Sequence, residues 1–175
     1  MVPFQTLLAV GCTAHAVCPD KKAGDYVMTS IPDFEGALTY SEKPGHRFTL
    51  NTSFADINTA NYDALPIPVG RGPEYWRLNA RVLAMSKEFA DAGNPIVAVC
   101  HGAQLLPAVP GIIKGKRSSA YPACRPEVEL AGALFAEIAI DSAVTDGQYV
   151  TAPAWPALPA WLSQFMALLG IKISH

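Results

Sequence analysis

The segment Pro95-Ile-Val-Ala-Val-Cys-His-Gly-Ala-Gln-Leu-Leu106 constrains the fold of this chain more than any other. An apolar run stops at Cys100, and Gly102 opens what reads as a helix. That is the layout of a nucleophile elbow, with cysteine where G-x-S-x-G enzymes carry serine. The turn is tight, so the positions two before and two after the nucleophile must be small, and they are Ala98 and Gly102. The Cys100 side chain would stand at the carboxyl end of a strand, beside the backbone N–H groups of a helix start. Those groups and the helix dipole favour thiolate over thiol. The competing reading is a buried cysteine that ends a core strand and packs as a small hydrophobe.

Around this segment, helical and extended signals alternate. Residues 4–10 read as the end of an amphipathic helix closed by Gly11, and His15–Cys18 as a short strand stopped by Pro19-Asp20. Residues 19–61 are polar and turn-rich, with hairpin pieces around Val27–Ile31 and Arg47–Leu50. Asp63–Pro68 reads as a buried strand that leads into the Gly-rich turn Val69-Gly-Arg-Gly-Pro73. A helix is expected next, with Pro73 near its first turn and Leu78, Val82, Met85 and Phe89 on one face. Gly93-Asn94-Pro95 ends it and starts the Cys100 strand. Gly111–Gly115 makes a turn into Ser118–Tyr121. Ile138–Val144 and Tyr149–Ala152 read as a strand pair joined through Asp146-Gly147. The last helix is expected to bury Leu158, Trp161, Phe165 and Leu168. Such alternation implies an α/β fold with a mainly parallel sheet covered on both faces. Ligands of these sheets bind outside the carboxyl ends of the strands, where Val69-Gly70 and Cys100 would share one cleft.

Composition narrows the function classes. At 175 residues, half hydrophobic and 16% charged, the chain suits one compact α/β domain spanning 1–175. The net charge of −2 and a lone basic cluster, Lys114-Gly-Lys-Arg117, argue against nucleic acid as a partner. No apolar run reaches 18 residues, so no membrane partner is expected. The four cysteines (Cys12, Cys18, Cys100, Cys124) show neither zinc spacing nor C-x-x-C, and read as reduced thiols of a cytoplasmic protein. His15, His46, His101 and His175 show no ligand spacing, so no metal is expected.

Five stretches resemble the DJ-1/PfpI (ThiJ/PfpI) superfamily: residues 62–75, 98–106, 111–117, 120–123 and 146–152. The segment from Asp33 to His46 is similar to the longer insert of plant DJ-1 homologues and their bacterial relatives. The resemblance implies a flavodoxin-like three-layer sandwich, related to the class I glutamine amidotransferase fold, and a cofactor-free cysteine enzyme. It implies Cys100 as nucleophile, His101 as acid–base partner, and Glu74 as the glutamate that reaches the histidine of an adjacent subunit in PfpI-type oligomers. Gly70, beside Val69, and the amide after the nucleophile would form the oxyanion hole, and Tyr121 would lie near the pocket. Taken singly, His101 also reads as a satisfied polar residue at a helix start. Glu74 reads equally as a first-turn acid, and Tyr121 as core packing.

The resemblance also places a first strand, and a loop carrying a further glutamate, before Met1, so the natural polypeptide is expected to start earlier. Four positions depart from the family pattern: Val69 replaces a glycine, Pro66 lies inside a presumed central strand, and Pro107 and Pro110 interrupt the elbow helix.

Three functions are compatible with these residues. A glyoxalase III-like or deglycase activity would convert small reactive carbonyls such as methylglyoxal through a Cys100 hemithioacetal. A PfpI-type cysteine peptidase would need a homo-oligomer, dimer or higher, with Glu74 acting across subunits. A redox-sensing, chaperone-like stress protein would use Cys100 as a sensor. A glutamine amidotransferase is disfavoured, because the only histidine after His101 is His175. Cys12, Cys18 and Cys124 read as structural, although Cys124 follows the Tyr121 segment closely enough to approach the pocket. Trp155, between two Ala-Pro motifs, reads as loop packing or as part of a rim.

Overall fold

The computed structural model describes residues 1–36 and 39–172. The expected strand at His15–Cys18, the insert and the terminal helix all fall in this range in whole or part; His175 lies outside the described residues. The chain forms two compact units, Met1–Ile57 and Asn58–His175.

In the first unit, helix α1 (Val2–Ala9) ends before Gly11, which adopts φ +85° as the sequence suggests. Residues 12–18 do not form the expected strand. The Asn51 side chain brackets them instead, accepting from Ala16 N–H at 2.7 Å and donating to the Ala14 carbonyl at 2.9 Å. The hairpin pieces are real and longer than read: β1 (Tyr26–Asp33) pairs antiparallel with β2 (Ser41–Thr49). The register shifts between Met28 and Ser30. There the His46 N–H donates to Thr29 Oγ1 at 2.7 Å. Gly45 permits this, since a Cβ on it would stand 2.5 Å from that hydroxyl. Phe4 of α1 meets Phe48 of β2 edge-on, with ring centroids 5.3 Å apart.

In the second unit, β3 (Leu65–Ile67) leads through the Val69–Gly72 turn to α2 (Pro73–Trp76) and α3 (Ala80–Asp91). The expected single helix is therefore broken. Asn79 caps α3 by accepting from Arg81 N–H and Val82 N–H at 3.0 and 3.2 Å, and this bond competes with helix continuation. Leu78 falls in the break and is 77% exposed, while Met85 and Phe89 are buried as expected. A Schellman motif closes α3: Asn94 N–H reaches Phe89 O, Gly93 N–H reaches Ala90 O, and Gly93 takes φ +74°.

Strand β4 (Ile96–Val99) follows, then a 3-10 segment (Cys100–Leu105), β5 (Arg117–Ser118), α4 (Arg125–Leu130) and β6 (Leu134–Phe135). Strands β7 (Val144–Asp146) and β8 (Tyr149–Ala152) lead to α5 (Leu158–Leu168). The main sheet has the order β3-β4-β8-β7; β3, β4 and β8 run parallel, and β7 is antiparallel to β8. Strands β5 and β6 form a separate parallel pair. All residues of β4 and β8 are buried, as in strands covered on both faces.

The β7–β8 turn uses Gly147 as read, but the strand begins only at Val144. Residues 139–142 turn instead, through Ser142 N–H to the Ala139 carbonyl. On α5 the fully buried positions are Trp161, Leu162 and Phe165, whereas Leu158 and Leu168 are half-buried. Among the described residues β3 pairs with β4, and Pro66 fits that pairing. Leu65 N–H donates to the Pro95 carbonyl, so the ladder toward β4 uses alternate residues and Pro66 is not among its donors.

Candidate active site

Cys100 follows four fully buried residues of β4 and takes φ +61°, a left-handed conformation shared among described non-glycine residues only with Asp20. Left-handed backbone costs an L-residue about 1–2 kcal/mol, so it persists only where its surroundings impose it. The chain is imposed upon from two sides. Tyr121 N–H donates to the Cys100 carbonyl at 3.4 Å. Gly102 presses against the end of β3, where an added Cβ would lie 2.7 Å from the Pro68 carbonyl oxygen and 3.0 Å from that of Ile67. Relief of the strain is measurable. Cys100→Gly is expected to be more stable than Cys100→Ala by about 1 kcal/mol, read from denaturant unfolding. Equal stability would mean that the turn stores no strain.

Within this turn Cys100 Sγ lies 3.4 Å from His101 Nδ1. The imidazole stacks on the Tyr121 ring, with centroids 4.6 Å apart and planes at 24°. Cys100 is 3% and His101 8% exposed. The sequence-predicted Cys100, His101, Gly102 and Tyr121 are thus brought together, and the Gly102 contact draws the start of the Val69-Gly70 turn to the same place. Val69 keeps a negative φ and only Gly70 becomes left-handed, at φ +118°, so the β-branched residue in the turn is tolerated.

Glu74 sits in the first turn of α2, and its carboxylate pairs with Arg71 Nε at 3.1 Å. The six-residue segment Cys100–Leu105 is a 3-10 turn, not the expected α-helix, and Pro107, which has no N–H, does not extend it. Its dipole is correspondingly short.

Cys124 is buried, and its thiol is pushed up to about 12, first by burial and then by the neighbouring Glu127, Cys100 and Glu74. It therefore stays protonated at neutral pH. Sequence reasoning missed a polar chain next to it. Arg77 Nη1 donates to Glu127 Oε2 at 2.7 Å, and Gln104 Nε2 donates to Glu127 Oε2 and Oε1 at 3.3 and 3.4 Å. The only local signal was Pro126-Glu127, which reads as a helix start with a first-turn acid. Among the described residues no group of three or more His, Cys, Asp or Glu side chains is placed to hold a metal ion.

A mainly parallel sheet, with a left-handed cysteine at the end of an inner strand and a histidine beside it, defines an α/β protein with a sharp strand-to-turn bend at Cys100. The sequence profile of the DJ-1/PfpI family matches residues 1–168, and the chain belongs to that family. It is 53% identical over 174 residues to DJ-1 homolog D of Arabidopsis thaliana, covering 99% of this chain and 45% of that protein. With protein/nucleic acid deglycase 2 of Escherichia coli it shares 32% identity over 152 residues, 86% of this chain and 85% of the other. In fold it is similar to a DJ-1 variant of Schizosaccharomyces pombe, with a TM-score of 0.74 and 16% identity over 97% of this chain and 84% of that one. The chain spans less than half the length of its Arabidopsis relatives. No helix among the described residues is long and apolar enough to cross a membrane.

Proposed function

We propose that the chain is a cysteine-dependent, cofactor-free enzyme acting on small reactive carbonyls, of the deglycase or glyoxalase III type. The observation that carries this reading is Cys100 itself, held left-handed at the end of β4 with its sulfur 3.4 Å from His101 Nδ1. Relatives named deglycases, in E. coli and in Pyrococcus abyssi at 32% identity, support it. Burial bears on the substrate class. A thiol only 3% exposed suits a two- or three-carbon carbonyl better than an extended peptide, which needs an open cleft.

In the proposed reaction His101 takes the Cys100 proton, and the thiolate adds to the aldehyde carbon of methylglyoxal. The carbonyl electron pair becomes an oxyanion, stabilised by the N–H groups of Gly70 and His101 and then protonated by the imidazolium, which gives a hemithioacetal. The aldehyde-derived proton leaves that carbon, and a proton returns at the neighbouring carbon through an enediol, leaving a lactoyl thioester. Water cleaves the thioester, releasing lactate and restoring the thiol, for a net uptake of one water. Tyr121 holds the His101 ring by stacking. The test compares reduced wild type with Cys100→Ala for conversion of methylglyoxal to lactate without added cofactor. Turnover is expected in the wild type and none in the variant. Inactivity of folded, reduced wild type would overturn the reading.

A further inference from the structure

We propose that Glu127 is a positioning residue for the Cys100 site, a carboxylate that holds three separate segments at fixed spacing; this rests on the carbonyl-enzyme reading above. Each partner of Glu127 comes from a segment that carries a candidate site residue. Gln104 lies in the 3-10 turn that begins with Cys100 and His101. Arg77 caps α2, whose first turn holds Glu74. Glu127 itself opens α4, directly after the Tyr121–Cys124 stretch whose tyrosine stacks on His101.

The Gln104 amide shows why this link is more than a surface contact. The residue is 7% exposed, and its Oε1 is buried with no hydrogen-bond partner among the described residues. Among the described residues the amide is therefore anchored through Nε2 to Glu127. Without the carboxylate both ends of a buried amide are left unsatisfied, and it must turn or move to find partners. Gln104 is one turn beyond Cys100, so that movement is delivered to the nucleophile. The Arg77–Glu127 pair is about one-third exposed on each side, where ion pairs contribute little to stability. Its consequence is geometric: it fixes the direction in which the carboxylate meets Gln104. The same charge acts on the neighbouring Cys124 and, after burial, helps keep that thiol protonated.

A misplacement of about 1 Å can cost a site ~100-fold in rate. Glu127→Ala is accordingly expected to lower kcat for methylglyoxal by about 10- to 100-fold with KM within about threefold. Glu127→Gln keeps an oxygen that can accept from both Arg77 and Gln104, and is expected to stay within about fivefold of wild type. Adding Gln104→Ala to Glu127→Ala should cost little more, because both remove one link.

A second readout needs no turnover: the rate of carbamidomethylation of Cys100 by iodoacetamide, followed by peptide mass spectrometry, should change several-fold in Glu127→Ala and little in Glu127→Gln. Folded Glu127→Ala with wild-type kcat and Cys100 alkylation overturns the proposal, as does Glu127→Gln falling as far as Glu127→Ala. Should Glu127→Ala not fold, Glu127→Asp serves, since it keeps the charge but loses the reach to Gln104; wild-type behaviour there also overturns it. If wild type fails to turn over methylglyoxal while alkylation still responds to Glu127→Ala, the proposed reaction fails and the positioning role stands.

Discussion

Gly102→Ala is expected to destabilise the protein by about 3 kcal/mol and to lower carbonyl turnover beyond what the lost stability explains. The added Cβ would meet the Pro68 carbonyl oxygen at 2.7 Å and the Ile67 carbonyl oxygen at 3.0 Å. Both are backbone atoms at the end of β3, so no side-chain rotation can relieve them. Something larger must give way. If β3 retreats, the Val69-Gly70 turn moves off Cys100 and the proposed oxyanion donors separate. If the 3-10 segment retreats, Cys100 leaves the conformation imposed on it and its contact with His101 changes. Either route links stability to activity through one methyl group. Gly70 offers a contrast, because a Cβ there has open space and only φ +118° opposes it. Denaturant unfolding and methylglyoxal turnover of Gly102→Ala check the expectation, and a variant within about 0.5 kcal/mol of wild type would contradict it.

The need for a small residue at 102 was legible in the sequence, because the elbow is a local device: an apolar strand, a cysteine and a glycine in fixed order. Its neighbour in space was not, since nothing local says that Gly102 faces the carbonyls of β3. Parallel strands and the last helix were legible for the same local reason, through apolar runs and period. The error at Leu78 is instructive. Its spacing to Val82, Met85 and Phe89 fits one helix face, but Asn79 offers the backbone a side-chain acceptor and the helix restarts there. Period counted apolar positions and overlooked the cap. The strand expected at His15–Cys18 failed differently. Strand-like residues take up a strand only beside a partner, and among the described residues that stretch meets an asparagine side chain instead. Least legible was the chain from Arg77 through Glu127 to Gln104, whose links span 50 and 23 residues of sequence. Each residue alone looks like an ordinary polar residue on a helix. Only folding reveals that a single carboxylate serves a buried amide in the turn that begins at Cys100.

Trp161→Ala is expected to cost about 4 kcal/mol, against about 1–2 kcal/mol for Trp161→Phe. The indole is fully buried, at 0% exposure, and it packs against Phe165 with ring centroids 6.1 Å apart. Its Nε1–H donates to the Val150 carbonyl at 3.2 Å, which pins α5 to β8. Alanine removes the ring volume and the hydrogen bond together, and a cavity that size cannot close without moving the helix. Phenylalanine keeps most of the volume and removes the donor. The loss reaches the site through the sheet. Val150 pairs with Val97, and Ala152 with Val99, so β8 supports the strand from which Cys100 projects. A domain is stable by only about 5–15 kcal/mol, so Trp161→Ala should shift the unfolding midpoint far while leaving Cys100 and His101 chemically intact. Turnover per folded molecule should then survive at low temperature and vanish on warming well before wild type. If Trp161→Ala and Trp161→Phe unfold at the same denaturant concentration, ring volume is not what holds α5 to the sheet, and the hydrogen bond to Val150 carries that role instead.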